Sequence, residues 1–299
     1  MTHQPTLANW LSIAALGLIW GATFMVVAIA LEGYGPLTVA CARTTLGAVT
    51  LLVFMRLLNR SLPIFTPVMI RYLIAIGLFN TAVPFALLCW GQQYVPSAFA
   101  GISMAALPLF VLPLAHFLTD ERMSLRSTLG VIMGFIGAAV LIGPGVLRIG
   151  TGWEPLGQIA CVAASMSYAV SSVMTRRCPP IDPLTMAALL LTVGSVALIP
   201  AMLIFEGVPT MGDARPTIAI IVLGFIPTAL AALIRVATIR SAGAIFMTLV
   251  NYQVPLWSMI FGALVLNEVL PLRFFVALGL IMLGLVVSQG NNLKRLLLR

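Results

Sequence analysis

Long apolar runs, each long enough to cross a membrane as a helix, follow one another along nearly the whole sequence. A bilayer core of about 30 Å needs roughly 20 helical residues per crossing. Charged residues, Pro, Gly or Asn bound the runs, which cover residues 9–31, 36–58, 67–91, 95–118, 125–146, 153–175, 183–204, 216–238, 242–266 and 271–290. The sequence therefore predicts a polytopic membrane protein with ten transmembrane helices.

The composition supports a lipid environment and an all-α fold. Hydrophobic residues make up 61% of the 299 residues and the mean hydropathy is +1.11, more apolar surface than a soluble domain can cover. Alternating β patterns are absent, and unbroken apolar runs suit helices, which satisfy their own backbone hydrogen bonds. The longest connection, about residues 205–215, leaves no room for a soluble catalytic domain.

The basic residues predict the topology of the chain. The net charge of +8 does not indicate nucleic-acid binding, because the arginines are scattered at span ends. With a cytoplasmic N-terminus, the outer face carries only Arg148, Arg215 and Arg273. The cytoplasmic face then carries Arg56, Arg60, Arg71, Arg122, Arg126, Arg176, Arg177, Arg235, Arg240, Lys294, Arg295 and Arg299. We expect a retained first span, cytoplasmic N- and C-termini and a location in the inner (plasma) membrane.

An internal repeat appears when the sequence is shifted by 147 residues without gaps. Pro36 then falls on Pro183, and Thr81 on Thr228, while Pro108 and Glu121 fall on Pro255 and Glu268. Each unit has five spans, and because five is odd the second unit enters the membrane in the opposite orientation. The prediction is two inverted five-helix repeats, residues 1–146 and 147–299, forming one integrated membrane domain. Such repeats are characteristic of secondary transporters working by alternating access.

Several features together resemble the EamA-type transporters of the drug/metabolite transporter superfamily. They are the stretch LIWGATF at 18–24, Arg43 in the second span, the two Pro-x12-Glu motifs and the Gly-rich closing spans. Within that superfamily the chain is similar to bacterial exporters of aromatic and other neutral amino acids. The resemblance implies export of L-amino acids, with broad selectivity.

Prolines inside spans indicate where a substrate site lies. A proline frees a backbone carbonyl and bends the helix, and broken helices at matching places in two halves point to the transport site. We expect gate or hinge roles for Pro84, Pro108, Pro227, Arg235 and Pro255. Spans three, four, eight and nine, with one and six, are expected to line the cavity.

Polar and aromatic residues on those spans are the candidate substrate ligands. Intramembrane amides and hydroxyls serve either a pocket or hydrogen bonds between helices, and deep aromatic rings can stack on a ligand. The substrate-binding candidates are Trp20, Thr23, Asn80, Thr81, Trp90, Ser103, Ser165, Tyr168, Thr228, Asn251, Tyr252, Gln253 and Trp257.

Three charged residues are assigned structural roles. Arg43 could attract a carboxylate, but it is expected to brace the second span, with backbone as its partner, because no acidic residue is predicted at its depth. Glu121 and Glu268 are expected to tie their hairpins, by accepting N–H groups at the start of the next helix or by pairing with a nearby Arg.

The remaining motifs restrict the mechanism. No P-loop is present and the sole lysine is Lys294, which excludes ATP hydrolysis through a P-loop lysine. The carboxylates map to span ends or loops, and His116 is the one histidine in a span. These features favour facilitated diffusion, with a proton-coupled efflux carrier as the alternative.

Other classes are less well supported. A membrane enzyme lacks a His-Glu-x2-His motif or a paired Ser and His, and a channel lacks a legible filter. No catalytic residue, metal or cofactor is expected, and the four cysteines are expected to be free. The expected partners are a small-molecule substrate and the lipid bilayer, with no nucleic acid, for a monomeric protein.

Overall fold

The computed structural model describes residues 6–118, 123–143 and 152–297, and the side chains of these except at 244–245 and 289–297. Within these ranges the chain is helical and contains no strand. Eight helices are long and apolar enough to cross a membrane, and two shorter apolar helices, Val250–Val265 and Leu272–Ser288, follow them. The prediction of an all-α, polytopic membrane protein is confirmed.

The helices are labelled in chain order, with broken helices under one label. They are α1 Leu7–Leu31, α2 Pro36–Leu57, α3 Pro67–Gly91, α4 Ser97–Leu118, α5 Leu125–Ile142, α6 Glu154–Arg177, α7 Pro183–Phe205, α8 Ala214–Ala242, α9 Val250–Val265 and α10 Leu272–Leu297.

The largest departure from the predicted bounds is at the junction of α8 and α9. α8 runs on to Ala242 and ends at Gly243, whose φ of +89° is open to glycine but strained for other residues. A single turn, Ala244–Met247, precedes α9, which begins eight residues later than the apolar run at residue 242. The apolar run therefore continues through a break in the backbone that hydrophobicity does not reveal.

Two helices contain a π-helical turn at matching places. In α3 the turn covers Leu78–Ala82, and in α8 it covers Gly224–Leu230, so the shift of 147 places the first within the second. Pro84 follows the first turn and Pro227 lies inside the second, and each proline removes a backbone N–H. The Thr228 hydroxyl donates to the Leu223 carbonyl at 2.7 Å, the acceptor that the missing N–H of Pro227 leaves free. π turns of this kind are frequent at functional sites.

α4 is also interrupted, at Ala105–Ala106. Its first segment ends at Met104 and its second begins at Leu107. Pro108 has no N–H to donate to the carbonyl of Met104, which is the bond that would continue the first segment.

The most extensive helix contacts join the first five helices to the last five. α2 packs on α7 and α5 on α10. α1 packs on α9 and α8, while α6 packs on α4 and α3, which are the same pairs with the halves exchanged. The core is therefore built between the halves and not inside either one.

Two remote carboxylates cap helices of the first half. Glu206 accepts hydrogen bonds from the backbone N–H groups of Leu37 and Thr38, each at 2.8 Å, at the start of α2. Glu268 accepts from the N–H groups of Ser97 and Ala98 at 2.6 and 3.1 Å, at the start of α4. Both carboxylates satisfy N–H groups that have no partner inside the helix and meet the positive end of its dipole.

The prediction for Glu268 was correct about the type of contact and wrong about the helix that it contacts. It does accept backbone N–H groups at a helix start, but this start is Ser97 and not the adjacent α10. The carboxylate is turned toward α9 and α4, since a Cβ on Gly262 would meet it. Glu121 lies outside the described residues.

The start of α7 shows why α2 needs a remote cap. Asp182 accepts from the N–H groups of Leu184 and Thr185, and it pairs with Arg240 and, at 3.8 Å, with Arg60. Burial raises the pKa of Asp182, but the Thr185 hydrogen bond and the charges of Arg240 and Arg60 outweigh it and leave the pKa below its usual value. This cap therefore stabilises the fold above pH of about 4 and is lost as the pH falls through the lowered pKa. The residue that matches Asp182 in the first half is Gly35, which has no side chain to cap α2.

Replacing Glu206 with alanine should lower the free energy of unfolding by about 1–3 kcal/mol, because it leaves two part-buried N–H groups of α2 without an acceptor. The matched control is Glu32→Ala, which removes an exposed carboxylate paired with Arg215 at 3.4 Å and should change stability by less than about 0.5 kcal/mol. Thermal unfolding of the two purified variants in detergent measures both. Equal effects of the two substitutions would contradict a capping role.

Candidate functional site

The two π turns bring a threonine of each half against a helix of the other half. Thr228 accepts a hydrogen bond from Arg43 Nη2 on α2 at 3.4 Å. Thr81 donates to the Gly77 carbonyl and lies 3.2 Å from the Leu190 carbonyl on α7. Leu190 is the residue that the 147 shift matches to Arg43, so the two halves repeat the contact but only the first half places a charge there.

Arg43 is buried, with 5% of its surface exposed, and its charge is poorly compensated. The guanidinium carbon lies 4.0 Å from the centre of the Phe85 ring on α3. Its Nε is buried and has no hydrogen-bond partner within the described residues. The expected backbone partner is wrong, because the side-chain hydroxyl of Thr228 and the aromatic face of Phe85 take that place.

Trp20 joins α1 to the π turn of α8. Its indole Nε1 donates to the Pro227 carbonyl at 3.2 Å. Trp20, Tyr168 and Tyr252 are half-buried and pack against the same apolar cluster. The Tyr252 hydroxyl oxygen is buried and has no partner among the described residues, which leaves an unused polar group beside these rings.

On α9, Gln253 and Trp257 pack closely against glycines of α1. A Cβ on Gly17 would lie 2.7 Å from Gln253 Oε1, and one on Gly21 would meet the side chain of Trp257. Trp257 also stacks on Phe261, with 5.8 Å between ring centres. Asn251 is half-buried on the same helix. Gln253 and Trp257 thus line the contact of α9 with α1.

Hydroxyls of α6 hold it to α3 and α4. Ser165 donates to the Ser103 carbonyl at 2.7 Å, and Ser171 donates to Asn80 Oδ1 at 3.2 Å. Ser103 and Thr23 donate to carbonyls of their own helices. These hydroxyls connect or stabilise helices. The Asn80 side chain, which accepts the hydrogen bond from Ser171, is half-buried in the π turn of α3.

Trp90 lies apart from the other candidates, in an aromatic cluster at the end of α3. Its ring centre is 5.1 Å from that of Tyr94 and 6.2 Å from that of Trp153. Gly91, next to Trp90, meets Gly157 of α6 so closely that a Cβ would lie 2.8 Å from the Gly157 carbonyl oxygen. Trp90 therefore belongs to a closed contact between α3 and α6.

Three of the four predicted hinge prolines lie where helices are irregular, whereas Pro255 lies inside the continuous helix α9. Pro84, Pro108, Pro227 and Pro255 are all buried, and the first three flank or lie within the breaks of α3, α4 and α8. Arg235 lies on α8 beyond its π turn. Its side chain is exposed although Ala231 and Thr238, one turn to either side, are buried, as expected in the wall of an internal cleft.

Comparison with known families gives a match to each half of the chain. The model of the EamA-like transporter family matches residues 8–143 and again residues 155–289. The chain belongs to the EamA-like transporter family.

Relatives of this EamA-family chain span its whole length. The uncharacterized transporter YoaV of Bacillus subtilis is 24% identical over 95% of this chain and 98% of its own. The uncharacterized inner membrane transporter YedA of Escherichia coli is 28% identical, covering 98% of this chain and 94% of its own. A chain of known crystal structure, 20% identical, superposes with a TM-score of 0.66 over 95% of this chain and 99% of its own, and supports the fold. Neither transporter's name states a substrate.

Several residues at the site of this EamA-family protein were missed by the sequence analysis. Phe85 and Ser171 carry no pattern that separates them from packing residues. Gln92 is buried near the end of α3 and donates to the Phe24 carbonyl at 2.9 Å, yet it looks like a loop residue in the sequence. The cap by Glu206 was detectable, because the repeat sets Gly35 where Asp182 caps the second copy.

Proposed function

We propose that this protein exports small metabolites, above all L-amino acids, across the inner membrane by alternating access and without ATP hydrolysis. Membership of a transporter family supports transport as such. The observation that carries the mechanism is the pair of π turns at matching places in α3 and α8, one followed by a proline and one containing a proline, and each contacting a helix of the other half. Broken helices in this arrangement are typical of midplane transport sites.

The two halves are taken as inverted repeats. The family model matches twice, and the helix pairs α1–α9 and α6–α4 are one contact repeated with the halves exchanged. An odd number of helices per unit gives the units opposite orientations, and the arginine distribution favours cytoplasmic termini. The two units form one membrane domain, because their largest contacts are mutual.

In this orientation the outer side is closed. Every residue from Ser97 to Ser103 at the start of α4 is buried, and a Cβ on Gly101 would overlap the Ser258 side chain of α9. In the second half of α4, residues 110–114 are all partly exposed. We therefore assign this structure to a state that is accessible from the cytoplasm.

The lining suits small zwitterionic or neutral molecules more than multiply charged ones. Half-buried Trp20, Tyr168, Tyr252 and the amide of Asn80 offer aromatic faces and hydrogen bonds. Each carboxylate that the structure describes lies at a helix end or in a connection. Facilitated export, driven by a substrate concentration that is higher in the cytoplasm than outside, therefore needs no ionisable group at the centre of the membrane.

The alternative, proton coupling, has less support. His116 is the histidine inside a described helix, and its Nδ1 accepts a hydrogen bond from the Met123 N–H at 3.2 Å. This contact ties the end of α4 to the chain before α5. A relay across the membrane would need ionisable groups at its centre.

The test is counterflow in proteoliposomes that contain the purified protein. Vesicles loaded with unlabelled amino acid are expected to take up the same labelled amino acid saturably, without ATP or a pH gradient, for at least one aromatic or neutral amino acid. Uptake that requires a proton gradient would favour the coupled carrier. Linear, unsaturable flux would indicate a channel, a new product would indicate an enzyme, and no exchange of any amino acid would overturn the substrate class.

A further inference from the structure

Arg235 is a cation inside a membrane helix that the contacts of the fold do not use. Some other arginines near helix ends have acidic partners: Arg60 and Arg240 pair with Asp182, and Arg273 with Glu154. For Arg235, no hydrogen bond or ion pair connects the guanidinium to any described residue. All of its donors are therefore available to a ligand.

Ala231 and Thr238, one turn to either side of Arg235, are buried, so this face of α8 is turned into the bundle. On the side of the π turn, α8 is joined to α1 by the hydrogen bond from Trp20 to the Pro227 carbonyl. Toward its end, α8 is joined to α1 again by the hydrogen bond from Asn9 to Ser241. Arg235 lies between these two contacts, about 10 Å along the helix from Thr228. An exposed side chain on this inner face lines a cleft between the helices and does not face the lipid.

The charge in this part of the bundle is positive and unbalanced. Arg43 and Arg235 each lie about two turns from the nearest end of their helix, whereas the carboxylates among the described residues lie at helix ends or in connections. A guanidinium binds a carboxylate through two parallel hydrogen bonds, and the interaction is stronger in a cleft than in bulk water. The same field disfavours a ligand that carries only positive charge.

We propose that Arg235 binds the carboxylate of the transported molecule where it enters the cleft from the cytoplasm. This assignment rests on the proposed function and narrows it, since it requires substrates with a carboxylate or an equivalent monoanionic group. It also replaces the expected gate role of Arg235 with direct recognition of the ligand.

The experiment tests the contribution of the carboxylate alone, with ligands that lack the amino group of an amino acid. Binding of 3-phenylpropionate and of its neutral analogue 3-phenylpropanamide to the purified full chain is followed by tryptophan fluorescence. The variants are Arg235→Gln, Arg235→Lys and, as a charge-matched control, Arg71→Gln, since Arg71 is exposed near the start of α3. Size-exclusion chromatography verifies that each variant is folded.

The wild type should bind the acid about tenfold or more tightly than the amide, because the amide lacks the negative charge that strengthens hydrogen bonds to the guanidinium. Arg235→Gln should abolish that preference, Arg235→Lys should retain part of it, and Arg71→Gln should retain all of it. Equal affinities for acid and amide in the wild type, no measurable binding of the acid, or an unchanged preference in Arg235→Gln would each overturn the assignment.

The two proposals can fail separately. A preference for the acid that depends on Arg235, together with no counterflow of any amino acid, would retain the anion site and reject amino-acid export. Counterflow that is equally fast in Arg235→Gln and the wild type would retain export and reject the anion site.

Discussion

Replacing Arg43 with methionine is expected to leave the protein at least as stable as the wild type and to reduce its transport rate about tenfold or more. Burying a guanidinium costs several kcal/mol, and a cation–π contact with Phe85 returns only about 2 kcal/mol. The hydrogen bond to Thr228 is long, at 3.4 Å, and Nε has no partner among described groups. An unbranched Met side chain can fill the space without the charge. A buried charge that lowers the stability of the fold is expected where the function of the protein requires it.

Unfolding temperature in detergent and initial counterflow rate per folded protein measure the two effects of Arg43→Met. Arg71→Met, at an exposed position of α3, should change neither. The second half of the chain already has Leu190 at the matching position, so an apolar residue is compatible with this packing. A lower unfolding temperature with an unchanged transport rate would instead establish the bracing role that the sequence predicted.

Alanine substitutions at two glycines of α10 are expected to have opposite effects on stability. A Cβ on Gly284 would lie 2.5 Å from the carbonyl oxygen of Gly130 on α5. This oxygen belongs to the backbone and cannot move aside as the end of a side chain can. Gly284→Ala should therefore destabilise the fold by about 1–3 kcal/mol. A Cβ on Gly279 meets nothing within 4 Å, so Gly279→Ala should stabilise the same helix by about 0.5–1 kcal/mol.

The comparison of Gly279→Ala with Gly284→Ala has an internal control, because helix propensity changes equally at both positions. Unfolding temperatures of the two variants should fall on opposite sides of the wild-type value. If both variants were stabilised, α5 and α10 would not be in backbone contact in the membrane.

The positions of the helices could be predicted because their determinants are local. Run length, prolines at Pro36, Pro67 and Pro183, and charges at the ends fix where a span starts and stops, and these three helices begin at those prolines. The start of α9 could not be predicted, since its break follows from the backbone at Gly243 and not from polarity.

The places where the helices are broken were predictable, but the contacts around them were less so. Prolines marked α3, α4, α8 and α9, and the structure has breaks in or next to all four. The contacts of Arg43 with Phe85 and Thr228 join three helices. When helices are apolar on every face, the sequence does not indicate which side chains form such contacts. For the same reason Glu268 was assigned to the adjacent helix, although its true partner is 171 residues away.

The remote capping of α2 and α4 has a consequence for biosynthesis. Glu206 is synthesised 169 residues after Leu37, so the start of α2 lacks its carboxylate cap until then. The start of α4 lacks its cap in the same way until Glu268 has been synthesised. Until then the nascent first half has two helix starts whose N–H groups must be held by water or lipid headgroups. A fragment ending before α6 would keep this defect permanently, so the second half acts as a template on which the first half completes its folding.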